Sequence, residues 1–165
     1  MYLIESIDPM TEVLDKVSKK LHENNLSLVS AESCTGGWVA KQITDLAGSS
    51  TIFDRGFVTY SNQAKQEMLG VSKETLDNYG AVSEQVVAEM VLGALKNSQA
   101  DIALSISGIA GPGGGTAEKP VGTVCFGWMK RGGKAVVKTL LIEGDRDKIR
   151  KRAVEFSLEG VIKQI

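Results

Sequence analysis

A chain of 165 residues, 42% hydrophobic and 24% charged, is long enough for one domain with its own core and too apolar for a disordered or fibrous protein. Nineteen Lys and Arg against 20 Asp and Glu leave a formal net charge of -1, and with no long basic run the electrostatic footprint of a nucleic-acid binder is missing. Two cysteines, Cys34 and Cys125, and one histidine, His22, make neither a disulfide framework nor a metal-ligand cluster, so reduced thiols and no metal are expected. No apolar run approaches the roughly 18 residues of a membrane span. The start, MYLIESIDPMTEV, is acidic where a secretory signal is basic. The expectation is a single domain over residues 1–165, cytoplasmic, with no membrane or nucleic-acid partner.

In chain order, Asp8-Pro9 reads as the cap and first residue of a helix carrying Met10, Val13, Leu14, Val17 and Leu21 at helical spacing, ended by Asn24-Asn25. Leu26 to Ala31 is short and apolar, as a buried strand is. Val39, Ile43, Leu46 and Ala47 then restore the helical period as far as Gly48. Phe57 to Tyr60 reads as a second strand, followed by a helix from Ser61 to Leu69 closed by Gly70 and a brief helix after Ser72. Ser83 caps the cleanest stripe of the chain, Val86, Val87, Met90, Val91, Ala94 and Leu95, which suits a core or an interface. Ile102, Leu104 and Ile106 alternate with small residues as a third strand running into a glycine-rich loop over 108–119. Val121 to Met129 and Ala135 to Ile142 flank a turn as an antiparallel pair, and Asp145 caps a last helix with Ile149, Ala153 and Phe156. This order predicts an α/β fold: a three-layer α/β/α sandwich around a mixed, mostly parallel sheet of about five strands, one of them antiparallel.

Ligands of open α/β sheets settle beyond the carboxyl ends of the strands. Three polar clusters fall there: Glu32 to Gly37, Tyr60 to Lys65, and Ser107 to Thr116. No GxxxxGK[ST] is present and the glycines do not follow GxGxxG after the first strand, which removes the usual ATP and dinucleotide sites. A lone His22 in the first helix also removes a Ser-His-Asp triad. A lysine can replace the histidine if burial or positive potential lowers its pKa. Lys65, in the first turns of the helix capped by Ser61, meets that condition, and Ser33 at the matching strand-to-helix turn is the candidate nucleophile. The amides of Thr35, Gly36 and Gly37 are candidate oxyanion or phosphate donors.

The bland readings are also physical. Ser33 and Thr35 are ordinary capping residues, and most helix lysines are solvated. Tyr60 with Lys65 resembles a short-chain dehydrogenase dyad, but at a spacing one residue too long and without the cofactor fingerprint. Cys34 reads as an inert buried thiol rather than a nucleophile. Long loops at strand ends usually belong to a site, which favours a role for the glycine-rich loop.

Ala31-Glu-Ser-Cys-Thr-Gly-Gly37, Phe57-Val-Thr-Tyr-Ser-Asn62 with Lys65, Gly80-Ala-Val-Ser83, Ser105-Ile-Ser-Gly-Ile-Ala-Gly-Pro112 and Lys119-Pro-Val-Gly-Thr123 together resemble the CinA C-terminal domain family. Stand-alone members of that family are nicotinamide-nucleotide amidohydrolases. The resemblance runs from about Leu26 to Arg146. It implies hydrolysis of nicotinamide mononucleotide (NMN) to nicotinate mononucleotide and ammonia in pyridine-nucleotide salvage, without a cofactor, by a self-associating enzyme. It matches the family's serine, tyrosine and lysine to Ser33, Tyr60 and Lys65, and its later arginine to Arg146. Asn62, Gly108, Gly111 and Gly113 join Thr35, Gly36, Gly37 and Arg146 as expected substrate-binding positions, with Arg146 or the loop amides near Gly113 to Gly115 taking the phosphate. The competing expectations are a silent paralogue that binds a nucleotide or protein, an amidase for another small amide, and an accessory role in DNA uptake that the balanced charge disfavours.

Overall fold

The computed structural model describes residues 7–165; the first half of the acidic start, residues 1–6, lies outside the described residues. Helix α1 (Pro9–Asn24) begins after Asp8 with Pro9 in its first turn and stops at Asn25, whose left-handed conformation breaks the ladder. Strand β1 (Leu28–Glu32) is buried throughout. Helix α2 (Trp38–Thr44) is shorter than its apolar period predicts. Its end tightens where the Leu46 amide turns to the Ile43 carbonyl, and a single 3-10 turn at Ser49–Thr51 follows.

Strand β2 (Phe53–Val58) starts four residues earlier than expected and ends before Thr59. It is an edge strand with Asp54 and Arg55 in solvent, so its first half carries no apolar signal. Helices α3 (Asn62–Leu69), α4 (Lys73–Tyr79) and α5 (Glu84–Lys96) are capped by the hydroxyls of Ser61, Ser72 and Ser83, each accepting an amide of its helix; such a cap is worth ~1 kcal/mol. Strands β3 (Ile102–Gly108), β4 (Thr123–Lys130) and β5 (Val136–Leu141) precede α6 (Arg146–Ile162), capped by Asp145.

The sheet order is β2-β1-β3-β4-β5. Strand β1 is parallel to β2 and β3, β4 is antiparallel to β3, and β5 is antiparallel to β4. Four strands therefore run one way and one the other, as predicted. Alternation along the strands sorts the two faces. Leu28, Ile102, Leu104, Ile106, Val124 and Phe126 meet α1, α2 and α6, whereas Val29, Ala31, Ala103 and Cys125 meet α3, α4 and α5. The second face is built of small residues because α5 lies close: a Cβ on Gly127 would stand 2.7 Å from the Val87 carbonyl oxygen. The α5 stripe is consumed here as core, so it is not free to serve an interface. Among the described residues no helix is long and apolar enough to cross a membrane.

After β1 the chain crosses to β2 on one side of the sheet, while β3 lies on the other. The carboxyl end of β1 is therefore a switch point, where the following connections diverge and leave a crevice.

Candidate active site

Ser33 follows β1 directly, and its amide bonds the Ile106 carbonyl, extending the β1–β3 ladder one residue beyond Glu32. The turn then folds back through Gly36 N–H to the Ser33 carbonyl. Gly37 enters α2 at φ 96, and a Cβ there would crowd Val58 at 3.3 Å. On the other wall, Lys65 sits in the second turn of α3, where its amide bonds the Ser61 carbonyl.

These two elements bring the lysine to the serine. Lys65 Nζ lies 3.0 Å from Ser33 Oγ and 2.9 Å from the Thr59 carbonyl oxygen, and the residue is 1% exposed. No carboxylate lies within ion-pair distance of it among the described residues. Loss of hydration, chiefly, holds the Lys65 amine below the usual lysine range; the adjacent positive end of α3 acts in the same direction. In this arrangement the amine donates to both the Thr59 carbonyl and the Ser33 hydroxyl oxygen, and loss of one proton would free a lone pair facing that hydroxyl. Cys34 is next to Ser33, but burial pushes its thiol up to about 11, so it stays protonated and inert at neutral pH.

Ser33, Cys34, Tyr60, Asn62, Lys65 and Arg146 line one cleft of about 200 Å³, closed by Ala81, Val82, Ser107, Gly108 and Ala110. A larger groove of about 470 Å³ between α3 and α5, near Leu92 and Gly93, includes Ser72 and Lys96 in its lining, but the Ser72 hydroxyl bonds Thr75 rather than the lysine. Arg146 begins α6 at the mouth of the cleft, donating to the Gly111 carbonyl at 2.7 Å and to the Tyr60 hydroxyl at 3.4 Å. Tyr60 is 64% exposed and bonds neither Ser33 nor Lys65. It stands at the rim of the cleft with Arg146.

The other expected binding positions fall in different places. Thr35, Gly36 and Gly37 line a separate groove with Trp38, Lys41 and Arg150, behind the Ser33 turn. Gly36 spends its N–H on the Ser33 carbonyl and the amides of Val39 and Ala40 in α2 go to the Glu32 carboxylate, whereas the Thr35 and Gly37 amides find no acceptor among the described residues. Gly111 and Gly113 do not line the cleft: Gly111 offers Arg146 its carbonyl rather than a ligand its amide, and Gly113 is exposed with open space around it.

Glu32 and Arg150 were not read from the sequence. Glu32, fully buried, accepts from Ser30 Oγ, Thr35 Oγ1 and the Val39 and Ala40 amides. Arg150 donates to the Cys34 and Thr35 carbonyls. The available signals were an acidic residue ending a buried strand and a second arginine four residues after Arg146, on the same helix face.

Comparison with known proteins gives this geometry its relatives. The family model described as CinA C-terminal domain matches residues 10–165. The nicotinamide-nucleotide amidohydrolase PncC of Escherichia coli strain K12 is 52% identical over 155 residues, covering 94% of either chain. The protein of the same name from Enterobacter agglomerans is 54% identical over 157 residues, covering 88% of this chain and 96% of its own. The crystal structure of the competence/damage inducible protein CihA from Agrobacterium tumefaciens superposes with a TM-score of 0.91 at 43% identity, covering 99% of this chain and 98% of that one. With a match across nearly all its length and the Ser33 and Lys65 pair at the switch point of the same fold, the chain belongs to the CinA C-terminal domain family.

Proposed function

We propose that this protein is an amidohydrolase that converts NMN to nicotinate mononucleotide and ammonia, a step in pyridine-nucleotide salvage. The observation that carries the mechanism is the 3.0 Å approach of a buried lysine amine, with no carboxylate partner, to Ser33 Oγ. The relatives named nicotinamide-nucleotide amidohydrolase support the substrate.

Lys65 takes the Ser33 proton as Oγ bonds the carboxamide carbon, and the carbonyl π pair moves to oxygen. On collapse the C–N bond breaks and the Lys65 ammonium gives its proton to the departing nitrogen, releasing ammonia. Water then attacks the ester with Lys65 again as base, and Ser33 recovers its proton as nicotinate mononucleotide leaves. Lys65 accepts and returns each proton exchanged among Ser33, the departing nitrogen and the attacking water.

Ligand pockets usually span about 300–1,000 Å³, so a cleft of about 200 Å³ receives the pyridine carboxamide and leaves the ribose phosphate at the rim. There the exposed Arg146 guanidinium meets the phosphate. The reading carries with it a cytoplasmic, self-associating enzyme, in line with the two free buried thiols and the family resemblance.

The test is ammonia release from NMN, nicotinamide riboside and nicotinamide, combined with intact-mass analysis of protein quenched during turnover. Preference for NMN and a nicotinate-mononucleotide ester on Ser33 are expected. An ester elsewhere, or turnover by Ser33→Ala, overturns the mechanism; failure to use NMN overturns the substrate.

A further inference from the structure

Arg150 lies one turn after Arg146 in α6 but outside the Ser33 cleft. Its Nε donates to the Cys34 carbonyl at 3.0 Å, its Nη2 to the Thr35 carbonyl at 3.2 Å, and its guanidinium stacks over Trp38 at 5.2 Å from the ring centroid. The turn after the nucleophile is thus held from the Arg150 side by two carbonyls. The Glu32 carboxylate, receiving Thr35 Oγ1 at 2.8 Å, holds the same turn through its side chain.

In a trans peptide the C=O and N–H groups point in opposite directions. Fixing the Cys34 carbonyl on Arg150 therefore fixes the Thr35 N–H of the same peptide unit pointing away from Arg150. Two other amides of the turn are occupied, Gly36 N–H by the Ser33 carbonyl and Trp38 N–H by the Thr35 carbonyl. The Thr35 N–H, in a residue with no solvent exposure, finds no acceptor among the described residues. A buried amide without an acceptor costs about as much as a lost hydrogen bond unless a ligand completes it.

We infer that Arg150 is a positioning residue for acyl transfer: by holding the Cys34 and Thr35 carbonyls it aims the Thr35 N–H at the oxyanion that forms when Ser33 attacks the carboxamide. Arg150 exchanges no proton and touches no substrate atom. The role needs the planar, two-pronged donor set of arginine, which lysine does not provide. The inference rests on Ser33 being the nucleophile.

The experiment is steady-state kinetics of Arg150→Ala and Arg150→Lys on NMN, with thermal melting of each and with ethylguanidinium added to Arg150→Ala. Displacing reacting groups by about 1 Å costs about 100-fold, so kcat is expected to fall roughly 30- to 100-fold with KM within about twofold. Arg150→Lys recovers little, and ethylguanidinium restores part of kcat. Unchanged kcat in folded Arg150→Ala overturns the inference, as does a rise in KM with kcat intact. If the alanine variant fails to fold, Arg150→Lys decides alone, and wild-type kcat in it overturns the inference. Activity of Ser33→Ala, measured in parallel, reports failure of the serine mechanism separately.

Discussion

Lys65 Nζ and Ser33 Oγ stand 3.0 Å apart across the switch point of the sheet, 32 positions apart in sequence, with the Thr59 carbonyl as the only other hydrogen-bond partner of the amine among the described residues. Thr59 itself is fixed by its amide to the Glu32 carbonyl, so Lys65 and Ser33 are both tied to the end of β1. An ammonium in this place would be nearly cut off from solvent and, among the described residues, would face no carboxylate, so burial favours the neutral amine.

Activity should therefore rise with pH as Lys65 loses its proton and level off below the pH at which an ordinary lysine titrates, about 10.4. Ammonia release from NMN, measured between about pH 6 and 10, reads this directly. Lys65→Arg should be inactive throughout, because a guanidinium keeps its proton and offers no lone pair. A flat profile, or an active arginine variant, would remove Lys65 from the role of base.

The same burial costs stability. Below the depressed folded-state pKa of Lys65 the native protein must hold a desolvated charge that the unfolded chain leaves in water. As pH rises through that value the folded state sheds the proton, and above the unfolded value, about 10.4, the penalty is gone. Lys65→Met, close in length and apolar, should thus be inactive yet melt higher than the wild type. Its advantage should be largest at low pH and shrink toward alkaline pH. Thermal scans across pH check the sign, and a variant that melts lower at every pH contradicts it.

Much of this site was legible in the sequence because it is local. A serine at a strand-to-helix turn and a lysine four residues after a serine cap are both set by backbone periodicity, and the switch point brings the two turns together. What was not legible depends on side-chain reach. The Glu32 carboxylate reaches seven and eight residues along the chain to accept the Val39 and Ala40 amides, a contact no local pattern announces. Tyr60 is close to Lys65 in sequence but leans to Arg146, 86 positions away. The glycines of the 108–119 loop suggested an anion cradle, whereas Gly111 contributes its carbonyl to Arg146 and residues 112–118 are exposed. Strand β2 was read too short because an edge strand with polar residues on both faces lacks the alternation that reveals a half-buried one.

Arg146 should separate the nucleotide from its dephosphorylated form. A charge-assisted hydrogen bond is worth about 1.5–3 kcal/mol, so Arg146→Ala should raise KM for NMN by roughly 10- to 150-fold while changing the KM for nicotinamide riboside little. Its bond to the Gly111 carbonyl also holds the loop over the cleft, so kcat for both substrates should drop by a smaller, shared factor. Equal losses in KM for the two compounds would show that the phosphate is recognised elsewhere.

Glu32 supports the nucleophile from beneath. Fully buried, it accepts the Val39 and Ala40 amides at 2.9 and 3.2 Å and Thr35 Oγ1 at 2.8 Å, joining the end of β1 to the first turn of α2. Glu32→Ala leaves these donors without an acceptor at a cost of about 1–3 kcal/mol for each buried group. At about 2–4 °C per kcal/mol for a chain of this size, melting should fall by roughly 10 °C. Glu32→Gln keeps one carbonyl oxygen but turns an NH₂ toward a backbone N–H, so it should lose about half as much. Because Thr35 and Ser33 share the loosened turn, kcat of the folded fraction should fall in the same order, alanine below glutamine. Circular-dichroism melts paired with NMN turnover measure both. Alanine and glutamine variants that melt with the wild type would mean that water replaces the carboxylate at the start of α2, and that the Ser33 turn keeps its shape without it.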